Sequence, residues 1–470
     1  MESFLFYDLE TSGTDPFFSR IGQFAAIRTD MELNPVGEPM DWLIKPASDM
    51  LPSPMACLVT GVNPWNNLSH GRLEPAVLSA VHEQMGQPGT CSLGYNSYRF
   101  DDMFMRAGFY RNFLPVYRRE FADGNSRWDL LNVLRAAYTL RPDGLEWPLN
   151  EKGLPSFKLE DLAIANDVRD GMAHEALSDV RALIGLARKL RNRQPKFWQH
   201  AFNLRLKSHV HEVLAAPGRD VYIHIAGFYG FKRHLAAPVL PLFRHPTRTN
   251  DVVVFDLSVD PQETLAWDPT SETRVPGLRM IRVNEGPMLF ALKHLQGAER
   301  DRLGLDSSLI ERRLGWLLDH QGDANFVRLA ATLDGERAAG VDVDAQLYSG
   351  FFTWNDERWM ERVRSAAPSR LADFENSPDI DPRLRELLKR YRARNYPETL
   401  SAVETAEWKR FCLAKFHAPD LRVVTDMNVA VFDEELAKCR ERTDLSPEQA
   451  DLLLEVERFG RHQLEQASIV

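Results

Sequence analysis

The N-terminal part of the chain alternates short apolar strands with helical segments, and this alternation constrains the fold more than any other feature. Apolar runs and period-two alternation predict strands at Phe4–Leu9, Gln23–Arg28, Asp41–Lys45 and Thr90–Tyr95. Helical spacing predicts helices at Ala76–Met85, from about Asp101, and from about Glu175 to Arg191. This mixture predicts an α/β layer fold.

The chain continues far beyond this region. Its 470 residues exceed the length of about 150 that is typical of one domain. β-branched and aromatic runs follow the α/β region, and helical spacing dominates beyond about Asp344. Near the end, Ser446, Pro447 and Gln449 are typical of a helix start with a capping box. We therefore predict three domains, with limits at 1–194, 195–343 and 344–470.

The composition is that of an ordinary globular protein, with 44% hydrophobic and 26% charged residues. No apolar run approaches the ~18–20 residues of a membrane helix, and the N-terminus lacks the features of a signal peptide. We therefore expect a cytoplasmic protein. The net charge of −10 argues against coating nucleic acid through a global positive field, although a local basic groove remains possible. The cysteines lack C-x-x-C spacing and are predicted to be free thiols in packed positions: Cys57, Cys91, Cys412 and Cys439.

Two acids stand two residues apart on the first predicted strand. Strand alternation places the side chains of Asp8 and Glu10 on one face of the sheet. Such carboxylates repel each other and are costly to desolvate unless a cation lies between them. Mg²⁺ suits this site because it prefers hard oxygen ligands.

A third acid, Asp101, follows the strand at Thr90–Tyr95. Helical spacing places it on one stripe with Phe104 and Met105, which should face the core. Its neighbour Asp102 shares a stripe with Arg106 and is predicted to form a surface pair with it. The inward acid is therefore the better candidate for a metal ligand.

A fourth element lies in the segment 173–180. Asp179 is an acid on the apolar stripe of a predicted helix, between Ala176 and Leu183 or Ile184. His174 precedes this helix and could reach over the same site, although an exposed capping histidine is an alternative.

Together these residues fit a two-metal phosphodiester hydrolase, in which two ions about 3.5–4 Å apart hold the attacking and leaving oxygens. Asp8 would bridge both ions, while Glu10 and Asp179 complete the coordination. Asp101 would hold the second ion through water. His174 would take the proton from the attacking water.

The same residues, in this order, resemble the histidine branch of the DEDD exonuclease superfamily. The motifs are D-x-E at Asp8, N-x-x-x-F-D ending at Asp101, and H-x-x-x-x-D from His174 to Asp179. Longer segments, among them FLFYDLETSGTDP, GLPSFKLEDL, VDAQLYSGFF and YRARNYPETL, resemble bacterial exonuclease I. This resemblance covers nearly the whole chain and is weakest in the middle region.

The resemblance implies an RNase H-like exonuclease domain, an SH3-like β-rich middle domain and an all-helical C-terminal domain. It implies processive 3′→5′ hydrolysis of single-stranded DNA to 5′-mononucleotides in DNA repair and recombination. Two Mg²⁺ ions, replaceable by Mn²⁺, would be the cofactors. It also implies a monomer that docks the acidic C-terminal tail of single-stranded DNA-binding protein.

Several residues are candidates for strand contacts by resemblance. Lys158 stands where the family often has an arginine that contacts the substrate phosphate, and lysine loses the bidentate fork. Glu10 would contact substrate as well as metal. Arg106, Arg135 and Arg141 are further candidates, although each could instead be a surface salt-bridge partner.

Two aromatic segments leave alternatives open. The window Val180–His211 carries eight basic residues and no acidic one, interleaved with Phe197, Trp198 and Phe202. Such a mixture suits a grip on single strands, but the aromatics could equally pack into a domain interface. The segment Phe228–Arg233 is more typical of a packed strand end than of a base platform.

Two other functions are alternatives to the DNA exonuclease. A 3′→5′ exoribonuclease of the same superfamily would share the chemistry, although the three-domain resemblance argues against it. A non-catalytic adaptor for single strands or their binding protein would require vestigial acids, and the complete set of five site residues argues against that.

Overall fold

A computed structural model describes residues 2–171, 175–215, 220–268, 270–271, 273–320, 323–333, 340–421 and 423–468. The chain divides into two compact units. The first comprises Met1–Ser126, Arg169–Ala182 and Ala338–Val470, and the second comprises Arg127–Val168 and Leu183–Arg337.

The strands form two sheets. In chain order the strands are β1 (Ser3–Thr11), β2 (Ile21–Thr29), β3 (Met40–Leu43), β4 (Thr90–Gly94), β5 (Ser126–Asp129), β6 (Tyr222–Ile225), β7 (Ala236–Arg244), β8 (Asp251–Asp256), β9 (Leu278–Arg282) and β10 (Met288–Ala291). Among the described residues, one sheet has the order β3-β2-β1-β4-β5 and the other has the order β10-β6-β7-β8-β9.

Helices account for most of the remaining regular structure. In chain order they are α1 (Pro54–Thr60), α2 (Pro64–His70), α3 (Glu74–Met85), α4 (Asp101–Arg111), α5 (Leu130–Leu140), α6 (Leu159–Ala165), α7 (Ala176–Arg193), α8 (Pro195–Asn203), α9 (Lys207–Val213), α10 (Pro261–Leu265), α11 (Gly297–Arg302), α12 (Ser307–Asp319), α13 (Ala324–Ala331), α14 (Trp354–Ser365), α15 (Pro382–Asn395), α16 (Ala402–Phe416), α17 (Val429–Arg440) and α18 (Pro447–Ser468).

Strand β1 lies inside the first sheet, antiparallel to β2 and parallel to β4. Its four residues from Phe4 to Tyr7 are all buried, and because successive side chains point to opposite faces, both faces of the strand are covered. Leu5 and Leu9 pack in one core with Leu78 of α3 and Phe104 of α4. The predicted strands and helices of this region are confirmed, with ends that differ by a few residues.

The C-terminal helices of the first unit enclose further apolar cores. Phe416, Phe432 and Val456 of α16, α17 and α18 pack together. The predicted capping box is present at α18, because the Ser446 amide donates to the Gln449 side chain and the Gln449 amide donates to the Ser446 hydroxyl. The predicted cysteines are all buried free thiols, as expected: Cys57, Cys91, Cys412 and Cys439.

The second unit contains the antiparallel sheet of β6 to β10. Leu240 and Phe255 of this sheet pack against Ile310 and Leu317 of α12. The β character of the middle region is confirmed, but α11, α12 and α13 were not anticipated there. They cover one face of the sheet through the apolar stripe of α12.

A search of the described residues found no helix with both the length and the apolar character needed to cross a membrane.

Candidate metal centre

The two acids of β1 lie where the neighbouring parallel strand has ended. The β1–β4 pairing runs from Ser3 opposite Thr90 to Phe6 opposite Leu93, so Asp8 and Glu10 extend beyond it. On the other side, both acids remain paired with β2. This part of β1 is therefore supported by hydrogen bonds to β2 on one side, whereas its pairing with β4 has ended before Asp8. Glu10 is 5% exposed and Asp8 is half-buried.

The first turn of α7 brings a third carboxylate to the same place. Ligand oxygens of Asp8, Glu10 and Asp179 all lie within 4.8 Å of one another, and among the described residues this is the group of acids found with such spacing. Two of the three come from one strand face, and the third comes from a helix more than 160 residues later. The fold thus gathers acids that are distant in sequence.

The electrostatics of this cluster favour a cation. Burial raises the pKa of Asp8 well above its usual range, and the charges of Asp101, Glu10 and Asp179 raise it further. Burial, followed by the charges of Asp179 and Asp101, raises the pKa of Glu10 to about 9. Without a cation Glu10 would retain its proton near neutral pH, and Asp8 would ionise less readily than a free carboxyl. A hard divalent ion such as Mg²⁺ fits the all-oxygen donor set and would offset the repulsion.

Asp101 stands apart from the group of three. It is 3% exposed, at the start of α4, and its charge raises the pKa of both Asp8 and Glu10. It is therefore close to the cluster without belonging to the group whose ligand atoms are mutually within 4.8 Å. A role at a second ion remains a prediction.

The prediction that Asp102 is a surface residue paired with Arg106 is wrong. Asp102 is 1% exposed, and its Oδ1 accepts hydrogen bonds from the Tyr7 hydroxyl at 2.9 Å and from Arg119 at 2.5 Å. Arg106 instead forms two hydrogen bonds of 2.8 Å with Glu120. Helix α4 is buried on both stripes, so Asp102 anchors the strand that carries Asp8 through its contact with Tyr7.

Arg169 is a residue of this site that the sequence did not reveal. Its Nη1 donates to Asp179 Oδ1 at 2.5 Å, and the two side chains are only 12% and 14% exposed. No helical or strand periodicity relates the two positions, because Arg169 precedes α7 in a loop. The guanidinium would therefore compete for Asp179 with an ion held by the cluster.

His174, the predicted general base, lies outside the described residues. Its role remains a prediction.

The basic candidates for strand contacts have diverse surroundings. Arg106 is bonded to Glu120, and Arg141 is paired with Glu299. Arg135 lies 5.9 Å from the ring centroid of Phe157. Lys158 is exposed and immediately precedes α6. Their contacts with a strand remain predictions.

The aromatic residues of the Val180–His211 window are packed against other aromatic rings. Of the two alternatives, packing therefore holds for them and a grip on single strands does not. Phe197 is 7% exposed and stacks on Phe290, with ring centroids 5.5 Å apart. Trp198 and Phe202 both contact the buried ring of Trp128, edge to face. These rings cannot receive bases.

The Phe228–Arg233 segment forms two short 3₁₀ turns in place of the packed strand end that was expected. Tyr229 is buried, whereas Phe228 is 58% exposed and lies 4.4 Å from it, centroid to centroid. Phe228 is therefore open to a ligand in a way that the other aromatics of this region are not.

Three family models match consecutive parts of the chain. An exonuclease model matches residues 5–187, the exonuclease I SH3-like domain matches 205–329, and the exonuclease I C-terminal domain matches 341–463. The chain belongs to the exonuclease I family. The predicted fold class, an RNase H-like exonuclease domain followed by an SH3-like and a helical C-terminal domain, is confirmed. The limits proposed at 194 and 343 remain predictions.

Individual relatives agree with this family. Exodeoxyribonuclease I of Escherichia coli is 38% identical over 421 residues, which cover 86% of this chain and 88% of the relative. A crystal structure of E. coli exonuclease I in complex with a dA16 oligonucleotide has a TM-score of 0.89 at 34% identity, covering 98% of this chain and 100% of that one. A structure of SSB/exonuclease I in complex with an inhibitor matches with the same TM-score, identity and coverage.

Proposed function

We propose that this chain is a metal-dependent exodeoxyribonuclease that degrades single-stranded DNA from its 3′ end and releases 5′-mononucleotides. The observation that carries this proposal is the convergence of Asp8, Glu10 and Asp179 within the domain matched by the exonuclease family. The exonuclease I relative that was crystallised with an oligonucleotide supports the choice of substrate.

The chemistry follows from the residues of the cluster. Asp8, Glu10 and Asp179 would hold divalent cations, with Mg²⁺ the expected ion and Mn²⁺ a substitute, and Asp101 would assist at a second ion. Divalent ions held by these residues would, when bound, supply stabilisation of the negative charge that develops on the phosphodiester oxygens. We propose that Glu10 also contacts the terminal nucleotide, and its place near the end of β1, beyond the pairing with β4, supports this.

Proton transfer needs a separate group. We propose His174 as the general base that accepts the proton of the attacking water, because imidazole titrates near neutral pH and the residue is five positions before Asp179. Arg169 donates a hydrogen bond to Asp179 and would compete with a metal ion for this carboxylate.

We further propose processive action in DNA repair and recombination, by a monomer that contacts the acidic tail of single-stranded DNA-binding protein. The structure of SSB/exonuclease I supports a contact of this kind. Lys158, Arg106, Arg135 and Arg141 are the proposed phosphate contacts, since cationic side chains track the backbone of a single strand.

The test compares a 5′-labelled single-stranded DNA oligomer with an RNA oligomer of the same sequence, each with Mg²⁺ and with a chelator. The proposal predicts a ladder of shortened DNA products only when Mg²⁺ is present. Faster loss of the RNA would favour the exoribonuclease alternative. Absence of shortening with both Mg²⁺ and Mn²⁺ would favour the non-catalytic adaptor.

A further inference from the structure

A cavity of about 490 Å³ lies in the first unit, away from the carboxylates of β1. The segment after β3, the end of α15, and helices α16 and α18 line it. This volume lies within the range of about 300–1,000 Å³ that holds small-molecule ligands. Its walls are largely apolar, with contributions from Leu68, Leu73, Trp408 and Phe459.

One wall of the cavity contains a buried cation with unused hydrogen-bonding capacity. Arg20 is 4% exposed, and its Nη1 donates to three backbone carbonyls. Its Nε and Nη2 have no hydrogen-bond partner among the described residues. The nearest carboxylate oxygens to Nη2 belong to Asp344 at 3.7 Å and Asp49 at 4.0 Å, both beyond hydrogen-bond distance.

Those two carboxylates are already engaged by other cations. Arg394 donates to both oxygens of Asp49 and both oxygens of Asp344. Lys415 donates to Asp49 at 2.8 Å. Arg390 also donates to Asp344 at 3.1 Å, so four cationic side chains share two carboxylates at this centre. A buried donor without a partner is costly, and an anion in the cavity would supply one.

The rest of the lining indicates what kind of anion fits. Lys45 is exposed at the rim and adds positive charge. The acid of the lining, Glu74, accepts hydrogen bonds from Arg111 and Asn112.

The indole Nε1 of Trp408 donates to Ser48 Oγ at 3.1 Å, and its ring stacks on Phe411 with the centroids 5.2 Å apart. Both contacts hold Trp408 in the lining. An arginine fork matches a phosphate or carboxylate, and an aromatic wall matches a planar body.

We propose that this cavity binds a small phosphate monoester with a planar ring, the class to which a nucleoside 5′-monophosphate belongs. The phosphate would lie towards Arg20 and Lys45, and the ring would lie along Trp408. The choice of a mononucleotide as probe rests on the proposed function, because that reaction releases one. The cavity itself does not depend on nuclease activity.

The test is calorimetric titration of the full chain with thymidine 5′-monophosphate in the presence of a chelator, so that the β1 cluster holds no metal. We expect one site per chain, with thymidine and inorganic phosphate each binding at least tenfold more weakly. Lys45→Glu, which reverses the rim charge, and Ala47→Trp, which fills the cavity, should each weaken binding at least tenfold. Lys389→Glu is the matched control, since Lys389 is an exposed lysine of the same unit outside the lining, and it should bind as wild type.

The Asp8→Asn variant tests whether the mononucleotide binds in this cavity or at the metal cluster. Binding in the cavity predicts an unchanged affinity for the mononucleotide. Absence of binding, unchanged binding by Lys45→Glu, or equally tight binding of inorganic phosphate alone would overturn the proposal. If Ala47→Trp fails to fold, Lys45→Glu decides the result. If the chain proves inactive on DNA while the mononucleotide still binds with these variant effects, the proposed function fails and the cavity assignment stands.

Discussion

Replacement of Arg169 by glutamine should tighten metal binding at the carboxylate cluster. Arg169 Nη1 donates to Asp179 Oδ1 at 2.5 Å, and both side chains are mostly buried. A metal ion must compete with this guanidinium for the same carboxylate. A hydrogen bond to a charged group contributes about 1.5–3 kcal/mol, and we take the lower value because the pair is partly open to solvent. Since about 1.4 kcal/mol corresponds to a factor of ten, Arg169→Gln should bind Mn²⁺ about tenfold more tightly.

Calorimetric titration with Mn²⁺ measures this directly and does not depend on activity. Arg118→Gln is the control, because Arg118 forms an exposed ion pair with Asp123 in the same unit. It should bind Mn²⁺ with wild-type affinity. Unchanged or weaker affinity in Arg169→Gln would refute the competition and show that Arg169 instead holds Asp179 ready for the metal.

Three further predictions concern stability and strand binding. Asp102→Ala removes the 2.5 Å ion pair of the fully buried Arg119, which keeps only Glu120 at 4.0 Å, and should lower the free energy of unfolding by about 3 kcal/mol, measured by urea denaturation. Burial raises the pKa of Asp344, but Arg394 and other cations lower it more and hold it below the usual range. Ionised Asp344 therefore stabilises the fold at pH values above about 4, the pKa of this carboxyl in the unfolded chain, and the stabilisation is lost as the pH falls through the lower folded pKa. The difference in free energy of unfolding between wild type and Asp344→Asn should therefore shrink from pH 7 to pH 3. Phe228→Ala should weaken binding of an oligothymidylate about tenfold by fluorescence anisotropy, with an unchanged melting temperature, because Phe228 is exposed for stacking. Equal anisotropy curves would exclude Phe228 as a strand contact.

Local patterns predicted much of the first unit. The alternation around Asp8 and Glu10 placed them on one strand face, and the apolar stripe of α7 placed Asp179 facing inward. These are short-range properties, since strand and helix periods act over a few residues. Their meeting within 4.8 Å is a property of the tertiary fold. It was expected through resemblance, because spacing along the chain does not determine it.

The wrong prediction for Asp102 has a non-local cause. Helical periodicity assumes one buried face, but α4 is covered on both stripes. Asp102 is neutralised by Arg119, which belongs to a short 3₁₀ turn after the helix, and no period links the two residues. Arg169 was missed for the same reason, since its partner Asp179 lies across a loop.

The unpredicted helix α12 did have a local signal. Asp306 caps it by accepting from the Leu309 amide, and Ile310 and Leu317 are seven positions apart on its buried stripe. The prediction for the middle region rested on its earlier β-branched runs, and this helical pattern was therefore overlooked.

The most direct test of the account is the initial rate at which 5′-mononucleotides leave a single-stranded oligothymidylate in Mg²⁺, compared between wild type, Asp8→Asn and Asp41→Asn. Asp41 is an exposed acid of the same domain, bonded to Gln23, and serves as the matched control. We predict a loss of at least about a hundredfold in Asp8→Asn, with strand binding retained, and a wild-type rate in Asp41→Asn. A wild-type rate in Asp8→Asn would contradict the assignment of this cluster as the metal centre.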